Sequence, residues 1–351
     1  MINKLFGLSP ALLAIDLGTV NSLVAISGFG VVLNEATAAA VSGSDERDVL
    51  AVGNEAVEMC GRTPSGVKLK FPFTRGVIAD YSLSEYMIRE FIDKAMQKCK
   101  LRSVLFGPKV LLCVPNCITE VERHALHEAA KHAGAQDVYI AEEIMAACIG
   151  ANMQFRDAVG SLAVDIGGGT TDAAVIALGG VAAQSSIRVG GNAIDEDIAN
   201  YVRKMHNISI GLKTAENLKI ELGKATDLKK RIKVCGLGVE TSLPRYIDIE
   251  IGSIAPAFES AKNEIVDMIC DVLSNTPPEL ASDIMKTGIV LTGGGANLFG
   301  LADSIHDATK IEVKIAEKPL ECVVNGALTI LEMIRGKRSS VYENEYSMLI
   351  G

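Results

Sequence analysis

The sequence contains no hydrophobic run of the roughly 18 residues that a membrane-spanning helix needs, so no transmembrane helix is expected. It contains no C-x-x-C pair either. The eight cysteines are spread through apolar segments, a pattern typical of reduced core residues in a cytosolic protein. The five histidines do not supply the clustered ligands that a zinc site requires. Residues 1–9 are too short for a signal peptide and lack a small-residue cleavage site.

Positive charge and proline are also scarce. There are 34 Lys and Arg against 43 Asp and Glu, a formal net charge of −9, which argues against nucleic acid as a partner. The ten prolines are outnumbered by 33 glycines, a composition that suits many tight turns. With 48% hydrophobic residues the chain is too apolar to be disordered. Its 351 residues indicate two domains or one large bilobed unit.

Two segments of the chain share one layout, AIDLGTVNSLVAI at 14–26 and AVDIGGGTTDAAVI at 163–176. In each, an apolar strand ends in an aspartate, Asp16 or Asp165. A glycine turn with Ser or Thr follows, and then a second apolar strand. A repeat at this distance predicts a duplicated domain with two related lobes, in which the two aspartates face each other across a cleft.

Small residues at such a turn let backbone N–H groups approach an anion closely, and two facing turns could hold a polyphosphate. An aspartate would repel phosphate directly, so its expected role is through Mg²⁺ or the waters of that ion. Either loop alone would more often be an ordinary glycine-rich hairpin, whereas the matched pair favours phosphate binding. The loop residues are Gly18, Thr19, Val20, Asn21 and Ser22 in the first segment and Gly167, Gly168, Gly169, Thr170 and Thr171 in the second.

A third glycine cluster, Gly293, Gly294 and Gly295, is followed by Ala296 and lies between an apolar strand and a helical segment. A strand, glycine turn and helix in this order presents N–H groups and the positive helix end to an anion or a ribose. Alone, the cluster would more often be a plain turn. It is not a P-loop, because the G-K-[ST] sequence is missing.

The order of these motifs resembles that of the actin, Hsp70 and sugar-kinase superfamily, and in detail that of the MreB family of bacterial actins. The resemblance extends from about residue 11 to residue 336. It depends on IDLGTVNSLV (15–24), GVIADY (76–81), TEVER (119–123), EEIMAACIGA (142–151), VDIGGGTTD (164–172), KTAENLKIELG (213–223), TPPELASDI (276–284) and LTGGG (291–295).

The resemblance implies an α/β, actin-like ATPase fold. Two duplicated lobes with ribonuclease-H-like cores would surround a nucleotide cleft, and each lobe would carry a smaller subdomain. The expected division is 1–38, 72–155 and 322–340 for the core of lobe I, 39–71 for its small subdomain, 156–192 and 252–321 for the core of lobe II, 193–251 for its small subdomain, and 341–351 for a flexible tail.

The resemblance also implies that the protein binds ATP with Mg²⁺ and hydrolyses it slowly. Glu143, the second Glu of a motif similar to E-E-P-M-A-A, would orient or deprotonate the attacking water, and Thr170 would help to position it. The alternative for a carboxylate here is a favourable charge at a helix N-terminus, which is preferred for Glu142. Glu216 and Lys219 would lie beside the adenosine. Without the resemblance they would be interpreted as a solvated i, i+3 ion pair.

Four positions depart from the family pattern. Arg75 stands where the family commonly has Asp, Ala36 and Ile144 replace usual prolines, and Cys117 replaces a usual Gly. None of these changes removes an expected phosphate ligand or the candidate base, but they leave the rate of turnover open.

Two apolar segments indicate a membrane surface. Leu105 and Phe106 precede Gly107–Pro108, where a loop should turn, and the resemblance implies that this pair inserts into lipid. The N-terminal residues Ile2, Leu5 and Phe6 form a short apolar face, for which a frayed terminus is a nearly equal alternative. The expected location is the cytoplasm, at the inner face of the cell membrane.

The function predicted from these features is that of a filament-forming, slow ATPase of the cytoskeleton that supports cell shape or motility. Its expected partners are further copies of itself, the lipid surface and other cytoskeletal paralogues. The alternative is a small-molecule kinase of the same superfamily, but no motif for binding a sugar or acid substrate is found. An Hsp70-type chaperone is disfavoured by length.

Overall fold

The computed structural model describes residues 10–42, 48–59, 67–74, 77–101, 107–116 and 118–336. The expectations for residues 1–9, Arg75, Leu105, Phe106, Cys117 and 341–351 lie outside these ranges. Within the described chain, no helix combines the length and apolar character that crossing a bilayer requires.

Strands and helices alternate along the described chain. Up to residue 150 the elements are β1 (Leu12–Leu17), β2 (Asn21–Ile26), β3 (Gly30–Ala36), β4 (Ala39–Ser42), β5 (Asp48–Val52), α1 (Asn54–Met59), β6 (Lys68–Lys70), β7 (Phe73–Thr74), β8 (Val77–Ile78), α2 (Tyr81–Lys98), β9 (Lys109–Val114), α3 (Glu120–His132), β10 (Asp137–Glu142) and α4 (Glu143–Gly150). The rest are β11 (Ser161–Ile166), β12 (Thr171–Ala177), β13 (Gly180–Ile187), α5 (Gly191–His206), β14 (Ile208–Ser209), α6 (Leu212–Gly223), β15 (Arg231–Gly238), β16 (Pro244–Glu250), α7 (Glu259–Ser274), α8 (Pro278–Thr287), β17 (Ile289–Thr292), α9 (Leu301–Thr309), β18 (Val313–Ile315) and α10 (Cys322–Gly336).

These elements form two compact units. The first contains the described residues up to 159, those at 176–181 and those from 317 onward. The second contains residues 160–175 and 182–316. The finer division into four subdomains stays a prediction.

Each unit has a five-stranded sheet of the same topology. The strand order is β3-β2-β1-β9-β10 in the first unit and β13-β12-β11-β17-β18 in the second. In both sheets three consecutive strands are neighbours, and the first of them also pairs in parallel with a strand from later in the chain. The next strand, β10 or β18, extends each sheet in parallel. The duplication predicted from the repeated segments is therefore confirmed at the level of the fold.

The central strand β1 reads as a nearly continuous apolar run because it is buried on both faces. Leu13 and Ile15 pack in the cluster formed with α2 and α3, whereas Leu12 and Ala14 pack in the cluster formed with α4 and α10. The alternation follows from the two-residue period of a strand. In the second unit a single large core joins β11 with α5, α6, α7 and α9.

One helix boundary is predicted correctly by local signals and one is not. In the sequence, Thr119 is a candidate N-cap for a helix that ends at Gly134. It forms a capping box with Glu122 at the start of α3, and the chain turns at Gly134, whose φ is +103°. The sequence also indicates a long helix near 255–274, which is wrong in its first part. Residues Ile251–Phe258 form a 3₁₀ helix containing Pro256, and α7 begins only at Glu259. Proline has no N–H to donate and its ring crowds the preceding turn, which disfavours α-helix there.

The packing of α4 against α10 depends on glycine. A Cβ on Gly150 would contact the Cys322 carbonyl, and a Cβ on Gly326 would contact the Ala146 carbonyl and lie 2.8 Å from the Gly150 nitrogen. The two backbones therefore approach more closely than any larger residue permits. This contact fixes α4, whose first residue is Glu143.

Gly326→Ala is expected to destabilise the protein, although alanine normally stabilises a helix interior by about 0.5–1 kcal/mol relative to glycine. The added methyl group would push α4 and α10 apart, with a loss of about 1–3 kcal/mol in the free energy of unfolding. Urea unfolding followed by circular dichroism measures the difference. The control is Gly180→Ala, where the nearest atom lies 4.0 Å from the new Cβ. Equal stability of the two variants would contradict the packing argument.

Candidate functional site

The first loop joins β1 to β2 and is held from behind by Thr37. The Thr37 hydroxyl donates to the Gly18 carbonyl at 2.6 Å and lies 2.9 Å from the Ser22 hydroxyl. The Thr37 amide donates to the Val20 carbonyl at 2.8 Å. Thr37 and Ser22 are fully buried, so these bonds are shielded from water. The carbonyls of the loop are thereby fixed in place.

Glycine is required at the start of this loop for steric reasons. A Cβ on Gly18 would lie 2.5 Å from the Asn21 carbonyl oxygen. Thr19, Val20 and Asn21 are half-buried, as loop residues able to contact a ligand must be. Thr37 was missed by the sequence analysis, and the available signal was a lone hydroxyl in the otherwise apolar segment that follows β3.

Asp16 and Glu143 lie at the same edge of the first sheet. Asp16 is paired with Cys113 of β9, and Glu142, the residue before Glu143, is paired with Val114 of the same strand. Because β1, β9 and β10 are parallel, both carboxylates lie at the carboxyl ends of strands, where α/β sheets commonly bind ligands. Neighbouring strands are about 4.8 Å apart, which places the two backbones roughly 10 Å from each other.

Glu143 is buried at the first position of α4, while Glu142 is the half-buried N-cap residue. The sequence predicts a strand-to-helix junction at Glu143, and this is confirmed, because β10 ends at Glu142 and α4 begins at Glu143. The N-cap side chain of Glu142 accepts no capping hydrogen bond, so any benefit of its charge at the helix terminus is electrostatic.

The second loop joins β11 to β12 and is held by the start of α5. The Gly191 amide donates to the Gly167 carbonyl at 3.0 Å, and the Asn192 amide donates to the Gly168 carbonyl at 2.8 Å. A Cβ on Gly190 would lie 2.7 Å from the Gly167 oxygen. Gly190 and Gly191 were also missed by the sequence analysis, although the G-G pair before a helix was a visible signal.

Hydrogen bonds within the second loop complete its shape. The Gly167 amide donates to the Thr170 carbonyl at 2.9 Å, and the Thr171 hydroxyl donates to the Val189 carbonyl at 2.7 Å. Thr170 and Thr171 are buried, whereas Gly167 and Gly168 are half-buried. The two glycines therefore form the accessible part of the loop.

Asp165 precedes this loop and is buried beside two polar groups. The Thr292 hydroxyl, opposite it in register on β17, donates to Asp165 Oδ1 at 2.7 Å. Burial raises the pKa of Asp165 to about 6; the Thr292 hydrogen bond lowers it and the negative charge of Asp172 raises it further. A divalent cation would favour the ionised form. A carboxylate at a strand end fits Mg²⁺, which takes one or two carboxylates together with waters and phosphate oxygens.

The third glycine cluster lies against the end of β11. Gly293 has a φ of +80°, and a Cβ there would lie 2.9 Å from the Ile166 nitrogen, next to Asp165 in the chain. A Cβ on Gly295 would contact the Ile166 side chain. The expectation of a helix directly after the glycines is wrong, because Gly294–Asn297 form a 3₁₀ turn and α9 begins only at Leu301. Ala296 is buried in the core of this unit.

Lys219 and Glu216 on α6 have different partners. Lys219 Nζ lies 2.9 Å from Asp195 Oδ1 and donates to the Gly191 carbonyl at 2.9 Å. Glu216 pairs with Lys213 at 2.7 Å. The alternative to an adenosine-binding role, one solvated ion pair between Glu216 and Lys219, is therefore wrong, because Asp195 and the Gly191 carbonyl offer Lys219 a more buried position.

Asp165→Asn is expected to stabilise the protein when neither nucleotide nor metal is present. The pKa of this carboxyl rises from 3.8 to about 6 on folding, so the native state disfavours its ionised form. As the pH rises from about 4 to about 6, this ionised form destabilises the native state relative to the unfolded state. The cost is on the order of 3 kcal/mol at most at pH 8 and disappears below about pH 4. Asparagine can still accept the Thr292 hydrogen bond.

Thermal unfolding at pH 8 and at about pH 4 measures this effect. The control is Asp267→Asn, which removes the same charge from an exposed position on α7 of the same unit. A lower unfolding temperature for Asp165→Asn than for the parent at pH 8 would show that the carboxylate stabilises the native state instead.

Three comparisons with known proteins agree with this architecture. The cell shape-determining protein MreB of Escherichia coli strain K12 is 42% identical over 350 residues, covering 98% of this chain and 100% of that protein. The crystal structure of MreB5 of Spiroplasma citri bound to ADP has a TM-score of 0.85 at 35% identity, covering 93% of this chain and 98% of that one. The MamK double helical filament has a TM-score of 0.76 at 20% identity, covering 92% of this chain and 99% of that one, and shares the fold.

The match to a family model is equally extensive. The model for MreB/Mbl protein matches residues 10–339, which include both glycine loops, Glu143 and the third glycine cluster. The fold is the actin-like α/β fold expected from the sequence. The chain belongs to the MreB/Mbl family.

Proposed function

We propose that this protein is an ATP-dependent cytoskeletal filament protein that supports cell shape or motility at the inner face of the cell membrane. The observation that carries the proposal is the duplicated sheet. In both copies the next-to-last residue of the first strand is an aspartate, and a loop fixed through its carbonyls follows the strand. Two related proteins add support. MreB5 of Spiroplasma citri has been solved with ADP and with AMPPNP, and the Escherichia coli relative is described as cell shape-determining.

The nucleotide phosphates would bind to the backbone of the two loops, whose glycines offer N–H groups without a side chain in the way. Asp16 and Asp165 would hold Mg²⁺ through water, and this ion neutralises phosphate charge. Gly191 is half-buried and its carbonyl contacts Lys219, so polar backbone and ammonium groups lie together where α5 faces α6. Glu216, Lys219 and the segment Gly293–Ala296 would bind the nucleoside.

Hydrolysis would depend on Glu143 and Thr170. A buried carboxylate at the end of β10 is held rigidly by the packing of α4 on α10, and this rigidity suits a group that must orient one water molecule. Thr170, buried in the second loop, would position the same water. Ile144, which stands where the family usually has Pro, is fully buried and keeps α4 packed in the core. The substitution therefore leaves the position of Glu143 intact, and turnover would still be slow.

The kinase alternative loses support from the family assignment, because the match to MreB/Mbl proteins extends over nearly the whole chain. A kinase would transfer the γ-phosphoryl group of ATP to an added metabolite, with ADP as the leaving group, and would release less inorganic phosphate. Phosphate release that is unchanged by added sugars or carboxylic acids therefore separates the two functions.

Glu143→Gln should reduce phosphate release from ATP by about 10²–10⁴-fold while nucleotide affinity changes little, because the amide cannot accept a proton. Glu142→Gln is the matched control, since it changes the adjacent carboxylate at the same junction. Phosphate release and calorimetric binding with Mg²⁺ measure the two quantities. Hydrolysis by Glu143→Gln at the parent rate would assign Glu143 a structural role and make Thr170 the next candidate.

Membrane binding would come from Leu105 and Phe106, with Ile2, Leu5 and Phe6 adding to it. Two inserted side chains contribute about 1.5–3 kcal/mol each, which is too little to anchor a monomer. In a filament the same contribution recurs in every subunit, so binding becomes strong on assembly. Self-association and membrane association are therefore expected to depend on each other.

Leu105→Ser/Phe106→Ser should form filaments with ATP but fail to float with vesicles on a density gradient. Phosphatidylcholine vesicles are the probe, because the net charge of −9 would oppose anionic lipid and obscure apolar insertion. Phe29→Ser is the control, as Phe29 is an exposed aromatic residue between β2 and β3 of the same unit. Negative-stain microscopy measures filament formation, and flotation with vesicles measures membrane binding. Equal flotation of the double variant and the parent would exclude this anchor.

A further inference from the structure

Asp195 is a buried acidic residue that none of the motifs discussed above includes. It lies in the second turn of α5, is 6% exposed, and contacts Lys219 of α6 at 2.9 Å. A buried carboxylate is costly unless it is paired, so an ion pair at this position reflects a specific structural requirement. The pair links α6 to α5, and α5 begins at the second glycine loop.

Lys219 extends this link to the loop itself. Its ammonium donates to the Gly191 carbonyl at 2.9 Å, and the Gly191 amide donates to the Gly167 carbonyl at 3.0 Å. A continuous series of polar contacts therefore runs from Asp195 through Lys219 and Gly191 to Gly167. A Cβ on Gly191 would lie 3.1 Å from Lys219 Nζ, so glycine is what lets the ammonium come this close to the backbone.

The ammonium of Lys219 has three N–H donors. It donates one to the Gly191 carbonyl, and Asp195 lies beside the same ammonium as its ion-pair partner at 2.9 Å. A remaining donor can bind one further acceptor, such as an oxygen of a nucleotide. A flexible lysine with one fixed partner would sample many rotamers, whereas an acceptor and a carboxylate on α5 together restrict it. The ion pair with Asp195 therefore helps to fix the ammonium and the directions of its remaining donors.

We propose that Asp195 is a positioning residue for nucleotide binding, which it supports by holding the Lys219 ammonium against the first turn of α5 and thereby fixing the loop at Gly167. The inference rests on the nucleotide-binding function proposed above. Asp195 acts through Lys219 and makes no contact of its own with the nucleotide.

The ion pair between Asp195 and Lys219 depends on pH. Burial raises the pKa of Asp195 to about 6, Lys219 lowers it, Glu216 raises it and Lys213 lowers it. The 3₁₀ segment Ile251–Phe258, which packs against α5 and α6, carries no ionisable side chain. Above about pH 6 the carboxylate is charged and holds Lys219. As the pH falls through about 6 it takes up a proton and the ion pair weakens.

The experiment compares Mg·ATP affinity of the parent and Asp195→Asn by calorimetry between pH 5 and pH 8.5. Because ATP itself titrates in this range and affects both proteins alike, the readout is the ratio of the two dissociation constants. A hydrogen bond to a charged group contributes about 1.5 kcal/mol or more, so Asp195→Asn should bind roughly 10-fold more weakly at pH 8. The ratio should fall towards about 1 at pH 5, and Asp195→Glu should restore part of the affinity.

Asp197→Asn is the matched control, because it removes the same charge from the same helix at a residue whose charged neighbours are Glu196 and Glu264. It should bind like the parent at every pH. A second route uses Lys219→Met, which should weaken binding and lose the pH-dependent part of the parent's affinity. Adding Asp195→Asn to Lys219→Met should cause no further loss, since Asp195 acts only through Lys219.

The outcomes separate the inference from the function it rests on. If the parent binds Mg·ATP, each of three results overturns the role of Asp195 alone. They are a ratio of the two dissociation constants of 1 at pH 8, a ratio that does not change with pH, and a further loss of affinity in the double variant. If Asp195→Asn does not fold, Lys219→Met decides the question through the same pH profile. A parent that does not bind Mg·ATP at any pH overturns the proposed function and the inference together.

Discussion

The site depends on one constraint: a short glycine loop between adjacent strands cannot hold its own shape. Its few residues lie outside the strand ladders, so their carbonyls need partners from elsewhere in the fold. In the first unit a side-chain hydroxyl, that of Thr37, provides the partner for Gly18. In the second unit the amides of Gly191 and Asn192 provide the partners for Gly167 and Gly168. In both units a structural element beyond the second strand fixes the loop.

This constraint explains which parts of the site could be predicted from the sequence. The two loops and their aspartates were identified because they form a short pattern that occurs twice in the chain. Glu143 was identified because its motif lies between a recognisable strand and a recognisable helix. Thr37 and Asp195 were missed because each acts on residues that are 19 and 24 positions away in the chain, respectively, and a lone threonine or aspartate has no pattern of its own. Such contacts become visible only when the strands and helices are packed.

The same limit applies to the fold. The resemblance to the MreB family predicted the α/β class, and the repeated segments predicted two related lobes, since both depend on short local motifs. The interruption before α7 was missed because Pro256 lies within an otherwise helical apolar pattern, and burial of Ile251 and Phe258 retains the segment as a 3₁₀ helix. The alternative of an ion pair between Glu216 and Lys219 is wrong for a related reason. Spacing on a helix shows which residues are neighbours. It does not show that Lys219 instead pairs with Asp195 of another helix, at a more buried position.

Buried acids beside the second loop lower the stability of the native state, and ligands can offset this cost. Burial is the main reason why Asp165 and Asp195 have raised pKa values, so at neutral pH the native state carries two carboxylates that its interior disfavours. A cation bound near Asp165 and an ammonium fixed beside Asp195 both favour the charged forms. The protein without ligands is then less stable around the second loop than its packing alone would make it. Because β11, β12 and α5 all meet at that loop, binding that stabilises the charged acids also stabilises the ends of these elements. The nucleotide binding proposed above would therefore couple occupancy to the rigidity of the second unit through the same few hydrogen bonds, and this coupling requires no movement of the sheet itself.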